Sequence, residues 1–400
     1  MDDDEGLRDP RVRDALRLHE AGDFLAAADA YAAILGDHPR VSEFWRRIAM
    51  DALAKDRPDD AESLLRRTLE RTPGDAETLH ALAQACRARG NLADALGACR
   101  RALEARPEDA AGHVHLAEIL LAGGDWPAGF AAFEWRLKVP GIALPQPPPG
   151  LPQWRGEDLD GKRLLVAAEQ GFGDTLQFCR FVAEPVRRGA HVVLAVPPPL
   201  HDLCMRLEGV ARVVCRDDDL PACDFWLPMG SLAHRFGLTP EAFPPPYLPA
   251  SPSESGGGFT VGVAWRGRPG STDRKSVPLD FLRRLVDVPG LSFVGLQFDA
   301  SPEAGAVLPN AVAGTDFAGT ADVIAGLDLV IAADTVVAHL AGAVGRPLWV
   351  LLAHNPNWRW LQAGAESPWY PTARLFRQSA PGDWESVINA VREALEARTG

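Results

Sequence analysis

A helical repeat array followed by two doubly wound α/β halves, that is α + α/β, is the architecture this 400-residue sequence predicts. Three observations predict it. The first 140 residues or so match themselves at an offset of 34, a proline-rich break follows, and from residue 163 short apolar runs alternate with helical patterns. Length agrees, because 400 residues with 46% apolar content suffice for two or three buried cores.

In the array, Pro39, Pro73 and Pro107 share one register and Ala27, Ala61 and Ala95 a second, while Gly22, Asp56, Gly90 and Gly124 share a third. An alanine at a helix crossing lets two backbones approach, the Gly or Asp makes a tight turn, and the proline stops the second helix. A 34-residue unit of two helices with these marks is the tetratricopeptide signature. Residues 1–138 read as three full repeats and a capping half-repeat, with Trp126 and Trp135 as contact residues toward the next domain. Such an array presents a concave face to peptides or proteins, or serves as a spacer or oligomerisation module. Trp45, Arg46 and Arg47 fall on the first helix of the second repeat, where they line that groove; Trp45 fits the core equally well.

Residues 139–160 carry Pro140, Pro145, Pro147, Pro148, Pro149 and Pro152 and read as a stiff linker. Residues 161–250 form the first α/β half, with strands expected at 163–168, 191–196, 211–215 and 224–227 and helices at 176–186 and 200–207. The segment 240–258 is rich in breakers, and residues 257–400 form the second half. Its expected strands are 259–264, 291–296, 328–332 and 348–353. Its expected helices are 279–286, 320–327, one opening after Asp334, and 383–398. Strands alternating with helices mean parallel sheets, and two such halves leave a cleft between their carboxyl edges.

Two turns would face that cleft. One is Glu169-Gln-Gly171-Phe-Gly173-Asp174-Thr175, where the glycines permit a tight backbone and Asp174 arrives at a helix start as a candidate base, with Glu169 as the competing carboxylate. The other runs from Asp334 and Thr335 through Val336 to His339, a strand-turn-helix junction whose free N–H groups favour phosphate. Both patterns also fit plain helix caps and a structural histidine. Between them Arg266, Arg268, Arg274 and Lys275 make the densest basic run, suited to an anionic donor, or equally a solvated loop. The aromatic stretches 357–360 and 367–378 either stack on a base or sugar or fasten the C-terminal helix.

Composition excludes several classes. The net charge of −13 has no basic surplus in either half, which argues against a general nucleic-acid binder. Six cysteines without a C-x-x-C pair read as reduced packing residues of a cytoplasmic protein. The acidic Met-Asp-Asp-Asp-Glu start is the wrong charge for a signal peptide, and no apolar run reaches ~18 residues, so no integral membrane association is expected. The second half has no D-x-D, and Asp217-Asp-Asp219 reads as an exposed turn, so catalysis by protein charges rather than a required metal is expected.

With these motifs the chain resembles bacterial proteins in which tetratricopeptide repeats are fused to a glycosyltransferase domain of the heptosyltransferase family, family 9, of GT-B fold. Residues 169–175 are similar to that family's glycine-Asp loop, which implies acceptor-base duty for Asp174. Asp334-Thr335 with His339-Leu340 is similar to its Asp-Thr-x-x-x-His-Leu donor loop, and Lys275 is similar in placement to a lysine that contacts donor phosphates. Residues 161–250 would then be the acceptor side and 257–400 the nucleotide-sugar side. Val336 stands where heptosyltransferases usually have glycine, which implies a reshaped donor pocket. The layout also resembles flagellin-modifying glycosyltransferases, whose repeats recruit flagellin and whose donors are nonulosonic acids carried on CMP. The expectation is a cytoplasmic transferase that moves sugar from a nucleotide-sugar substrate to a protein hydroxyl without a cofactor. An inactive adaptor of transferase-like fold, or a GT-B-type nucleotide-sugar enzyme lacking a protein acceptor, are the alternatives.

Overall fold

Helical hairpins fill the first part of the computed structural model, which describes residues 9–399 apart from 37, 39, 143, 146–148, 216–219, 254–257, 268–274, 299–301, 310–311 and 313–315. The pairs are α1 (Pro10–Glu20) with α2 (Phe24–Leu35), α3 (Arg40–Ala54) with α4 (Pro58–Arg71), α5 (Ala76–Ala88) with α6 (Leu92–Ala105), and α7 (Ala110–Ala122) with α8 (Trp126–Phe133). Each pair turns on the same register: Gly22, Asp56, Gly90 and Gly124 have φ of 80°, 57°, 78° and 82°. Only Asp56 carries a side chain in that left-handed region, which L residues other than Asn and Asp seldom enter. Helix starts are capped by Asp23, Asp75, Asn91, Asp109 and Asp125, each accepting the N–H three residues on; such caps contribute about 1 kcal/mol each.

Ala27, Ala61 and Ala95 are fully buried at the crossings, and Pro73 and Pro107 follow the ends of α4 and α6. Pro39 lies outside the described residues. Trp45 belongs to the core: it is buried, and its indole N–H donates to the Ala28 carbonyl at 3.0 Å. Within this unit Trp126 is buried near Phe130, and Trp135 stacks on His113 at 3.9 Å.

The chain divides into two compact units, Met1–Pro140 and Gly141–Gly400. The second holds two parallel sheets. In the first, β1 (Arg163–Ala167) is followed by α9 (Phe172–Phe178), α10 (Ala183–Arg187), β2 (His191–Val196), α11 (His201–Cys204), β3 (Arg212–Cys215), β4 (Phe225–Pro228) and α12 (Leu232–Phe236), in strand order β3-β2-β1-β4. The helix expected at 176–186 is broken by a 3-10 turn at Cys179–Val182. Pro185 has no N–H to bond back to Phe181, so the α ladder cannot run through. The proline-rich segment ends against the sheet, with Trp154 N–H donating to the Trp226 carbonyl and Trp226 N–H to that of Pro152, both at 3.0 Å.

The second sheet comprises β5 (Phe259–Ala264), α13 (Leu279–Val286), β6 (Leu291–Gly295), α14 (Pro302–Val307), α15 (Phe317–Ala325), β7 (Leu329–Ala333), α16 (Val336–Val344), β8 (Leu348–Leu352), β9 (Ala373–Arg377) and α17 (Trp384–Thr399), ordered β6-β5-β7-β8-β9. Helix α15 starts earlier than the expected 320 because Asp316 caps it, accepting Gly319 N–H at 2.7 Å. Strand β9, which lies in the aromatic stretch 367–378 where no strand is expected from sequence, pairs in parallel with β8. Strands β1 and β7 are both interior, and the strand order reverses beside each of them. At such switch points the loops leaving the carboxyl ends splay apart and leave a crevice.

Arg180 fastens the two halves. Fully buried, it donates to the carbonyls of Trp369 (2.9 Å) and Pro240 (3.3 Å) and to the Tyr247 hydroxyl (3.0 Å). Among the described residues no helix is long and apolar enough to cross a membrane.

Candidate functional site

The loop after β1 and the loop after β7 meet. A Cβ placed on Gly173 would lie 2.8 Å from Cδ2 of His339, so glycine is what lets the start of α9 rest against that imidazole. The geometry therefore joins Gly171, Gly173 and Asp174 from one half with Asp334, Thr335 and His339 from the other.

Asp174 occupies the third position of α9 and its Oδ2 accepts the Gly171 N–H at 3.0 Å, a bond back to the N-cap residue that fixes its rotamer. Its Oδ1 accepts from Nη2 of Arg359 in the opposite half. With its side chain 20% exposed, Asp174 is less enclosed than Glu169. Glu169, the competing carboxylate, is buried and its Oε1 accepts the Gly230 N–H at 2.7 Å. That contact ties β1 to the turn after β4.

In the second half Asp334 is nearly enclosed. Its Oδ2 accepts from Lys275 Nζ and its Oδ1 from the Trp360 indole at 2.8 Å. Burial pushes its carboxyl up, but Lys275, His339 and the two hydrogen bonds outweigh that and hold it below the usual carboxylate range. Thr335 is the N-cap residue of α16, yet its side chain makes no capping bond, and its buried Oγ1 has no hydrogen-bond partner among the described residues. A buried hydroxyl without a partner at an open helix start leaves a donor for an incoming anion. Val336 opens α16 and is half-buried.

His339 is buried; its Nδ1 lies 2.9 Å from the Tyr370 hydroxyl, and its ring stacks on Trp360 at 5.3 Å. Gly342, one turn on, leaves room for the Tyr370 ring, since a Cβ there would collide with it. Burial pushes the imidazole down to about 4, so the ring is neutral near pH 7. Of the basic run, Lys275 reaches the site. Arg266 follows β5, where its backbone is bridged by the Gln297 amide at 3.1 and 3.0 Å. Arg268, Arg274 and Asp217-Asp-Asp219 lie outside the described residues.

Three residues at the site, Arg359, Trp360 and Tyr370, were read from sequence only as part of aromatic stretches that stack on a base or sugar or fasten the C-terminal helix. Their signal was the aromatic stretch itself. Trp358, Trp360, Trp369 and Tyr370 are all buried, packed between the halves rather than open for a base. Among the described residues a ligand-like cluster of metal-binding side chains occurs in the array, at Glu62, Cys86 and Asp94. There Glu62 is already engaged by Arg66 at 2.7 Å and by Arg89.

Comparison with known proteins adds to this geometry. Residues 13–76, 46–110 and 80–134 match the tetratricopeptide repeat family, and residues 304–378 match glycosyltransferase family 9 (heptosyltransferase). Protein FlbA of Caulobacter vibrioides is 30% identical over 327 residues, covering 70% of this chain. The chain spans only 54% of that relative's length. Among solved structures, the glycosyl transferase family 9 protein of Veillonella parvula is 12% identical, covering 56% of this chain and 88% of its own, with a TM-score of 0.44. The E. coli heptosyltransferase WaaC with ADP-2-deoxy-2-fluoro heptose is 15% identical, covering 59% and 99%, with a TM-score of 0.43. The chain thus carries tetratricopeptide repeats over residues 13–134 and, within the unit of two parallel sheets, a stretch at 304–378 that matches glycosyltransferase family 9.

Proposed function

We propose that this chain is a glycosyltransferase that moves a sugar from a nucleotide-sugar donor to a hydroxyl of a protein held by the repeats. The observation that carries the proposal is the approach of the Asp174 loop to the Asp334–His339 loop between the two α/β halves, Gly173 lying against His339. In this reading Asp174 takes the proton as the acceptor oxygen bonds to the sugar carbon, and the bond from that carbon to phosphate breaks. Lys275, the Thr335 hydroxyl and the start of α16 receive the charge on the departing phosphate. Asp334 keeps Lys275 aimed, and neutral His339 supports the loop. Arg266 would add charge beside the donor.

We further propose that this chemistry needs no metal and takes place in the cytoplasm. The acceptor to test first is flagellin Ser/Thr with a CMP-linked nonulosonic acid, as the layout resemblance implies. The test is incubation with nucleotide-sugars and whole-cell protein, read by mass spectrometry. Sugar should appear on Ser or Thr of one or a few proteins and persist in EDTA. The fragment 141–400 should lose most protein modification yet keep donor hydrolysis. Equal losses would remove the recruiting role of the repeats. Failure of every nucleotide to bind in calorimetry would favour an inactive adaptor.

A further inference from the structure

The turn after β8 does two things at once. Asn357 caps it, accepting the Arg359 N–H at 3.2 Å and its Nη1 at 2.6 Å, while the Arg359 guanidinium lies 4.3 Å over the Trp358 ring. So held, Arg359 reaches across the cleft to Asp174. The next residue, Trp360, donates to Asp334, the carboxylate that Lys275 also grips. Adjacent residues of one three-residue turn, Trp358–Trp360, therefore hold the candidate base of one half and the candidate donor loop of the other.

Each oxygen of Asp174 has a donor in this arrangement: Gly171 on one, Arg359 on the other. Arg359 sits where an acceptor hydroxyl would have to place its proton. The same guanidinium, with its side chain 9% exposed and its Nη2 committed to Asp174, is the cation next in sequence to the residue that braces Asp334. A phosphate group arriving at Lys275 and Thr335 offers Arg359 a competing anion with more acceptor oxygens, which the planar guanidinium can grip at two points.

We propose that Arg359 is a positioning residue that covers Asp174 in the empty site and is drawn from it by the donor's phosphate, so that donor binds before acceptor. This rests on the transferase reading above. It makes a reciprocal demand: whatever binds Arg359 better with Asp174 neutralised must in turn release Asp174 when it binds.

The full-length chain is titrated by calorimetry with ADP, GDP, UDP, dTDP and CMP, each alone, and the carboxylates are labelled with carbodiimide and glycine ethyl ester and mapped by mass spectrometry. The nucleotide that binds should raise labelling at Asp174 several-fold. In Arg359→Gln, labelling of Asp174 should be high with or without nucleotide. In Asp174→Asn, which leaves the guanidinium uncommitted, nucleotide affinity should rise about tenfold, within the usual range of coupling between sites; a purely structural ion pair would give no gain. Should Arg359→Gln fail to fold, the Asp174→Asn titration and the wild-type labelling still decide. Nucleotide binding with unchanged Asp174 labelling, or with unchanged affinity in Asp174→Asn, overturns the proposal and leaves the transferase reading standing. Absence of binding by any nucleotide removes both.

Discussion

The repeat array and the α/β unit solve the same problem, fixing a backbone, at opposite ranges. In the array a position is explained by its counterpart 34 residues away, and its contacts lie within one or two neighbouring helices: Asp75 caps α5 and meets Arg46 at 2.9 Å, and Asp109 caps α7 and meets His80 at 3.1 Å. In the α/β unit the decisive contacts join residues 185 apart (Arg359 to Asp174) and 189 apart (Arg180 to Trp369). A local rule repeated many times yields a scaffold whose stability is nearly a sum of small terms. A few distant contacts hold the junction of the two α/β halves, where one substitution unseats several groups at once.

Substitutions sharpen that contrast. The largest effect is expected at Asp174: Asp174→Asn should lower transfer by about 10²- to 10⁴-fold, the usual yield of general-base catalysis, far more than the stability lost with the Arg359 pair would explain. Undiminished turnover would assign the proton to another group. Next is His339. Its folded value near 4 lies below the ordinary 6.5, so the neutral ring's contribution is complete above pH 6.5 and is lost as pH falls toward 4. The difference in unfolding free energy between wild type and His339→Gln should therefore shrink across that window by a total on the order of 3 kcal/mol. Parallel pH curves for the two proteins would contradict it.

Gly173→Ala comes third. Its Cβ would meet a buried imidazole at 2.8 Å, a crowding worth roughly 1–3 kcal/mol, against which helix propensity returns up to about 1 kcal/mol. Denaturant melts should show a net loss, and a gain would mean the two loops are not in contact. The smallest effect belongs to the array. Asp56 has φ of 57° where its three counterparts are glycine, so Asp56→Gly should stabilise by about 0.5 kcal/mol, the relief of left-handed strain less the added freedom of the unfolded chain. A loss instead would show that the Asp56 side chain, and not the backbone alone, holds that turn.

How much was legible follows the same division. The turn register, the buried Ala27, Ala61 and Ala95, and the parallel strands could be read because each depends on spacing within a window of a few dozen residues. Asp174 and His339 were legible as candidates because a glycine-marked turn and a strand-to-helix junction are local patterns too. Arg359 was hidden: nothing within ten residues of it marks an arginine that must reach a carboxylate in the other half. Glu169 looked equivalent to Asp174 until Gly230, 61 residues on, proved to occupy it.

By itself, then, the sequence determined the kinds of element, their order and the two candidate turns, since helix, strand and turn preferences arise from neighbours along the chain. Only the tertiary structure decided which carboxylate is reachable, which cation holds it, and that Tyr370 and Trp360 brace His339 and Asp334. The physical reason is that packing brings together groups whose separation in sequence is arbitrary. Their hydrogen bonds and burial, and so their charge states, exist only once the chain has closed around them.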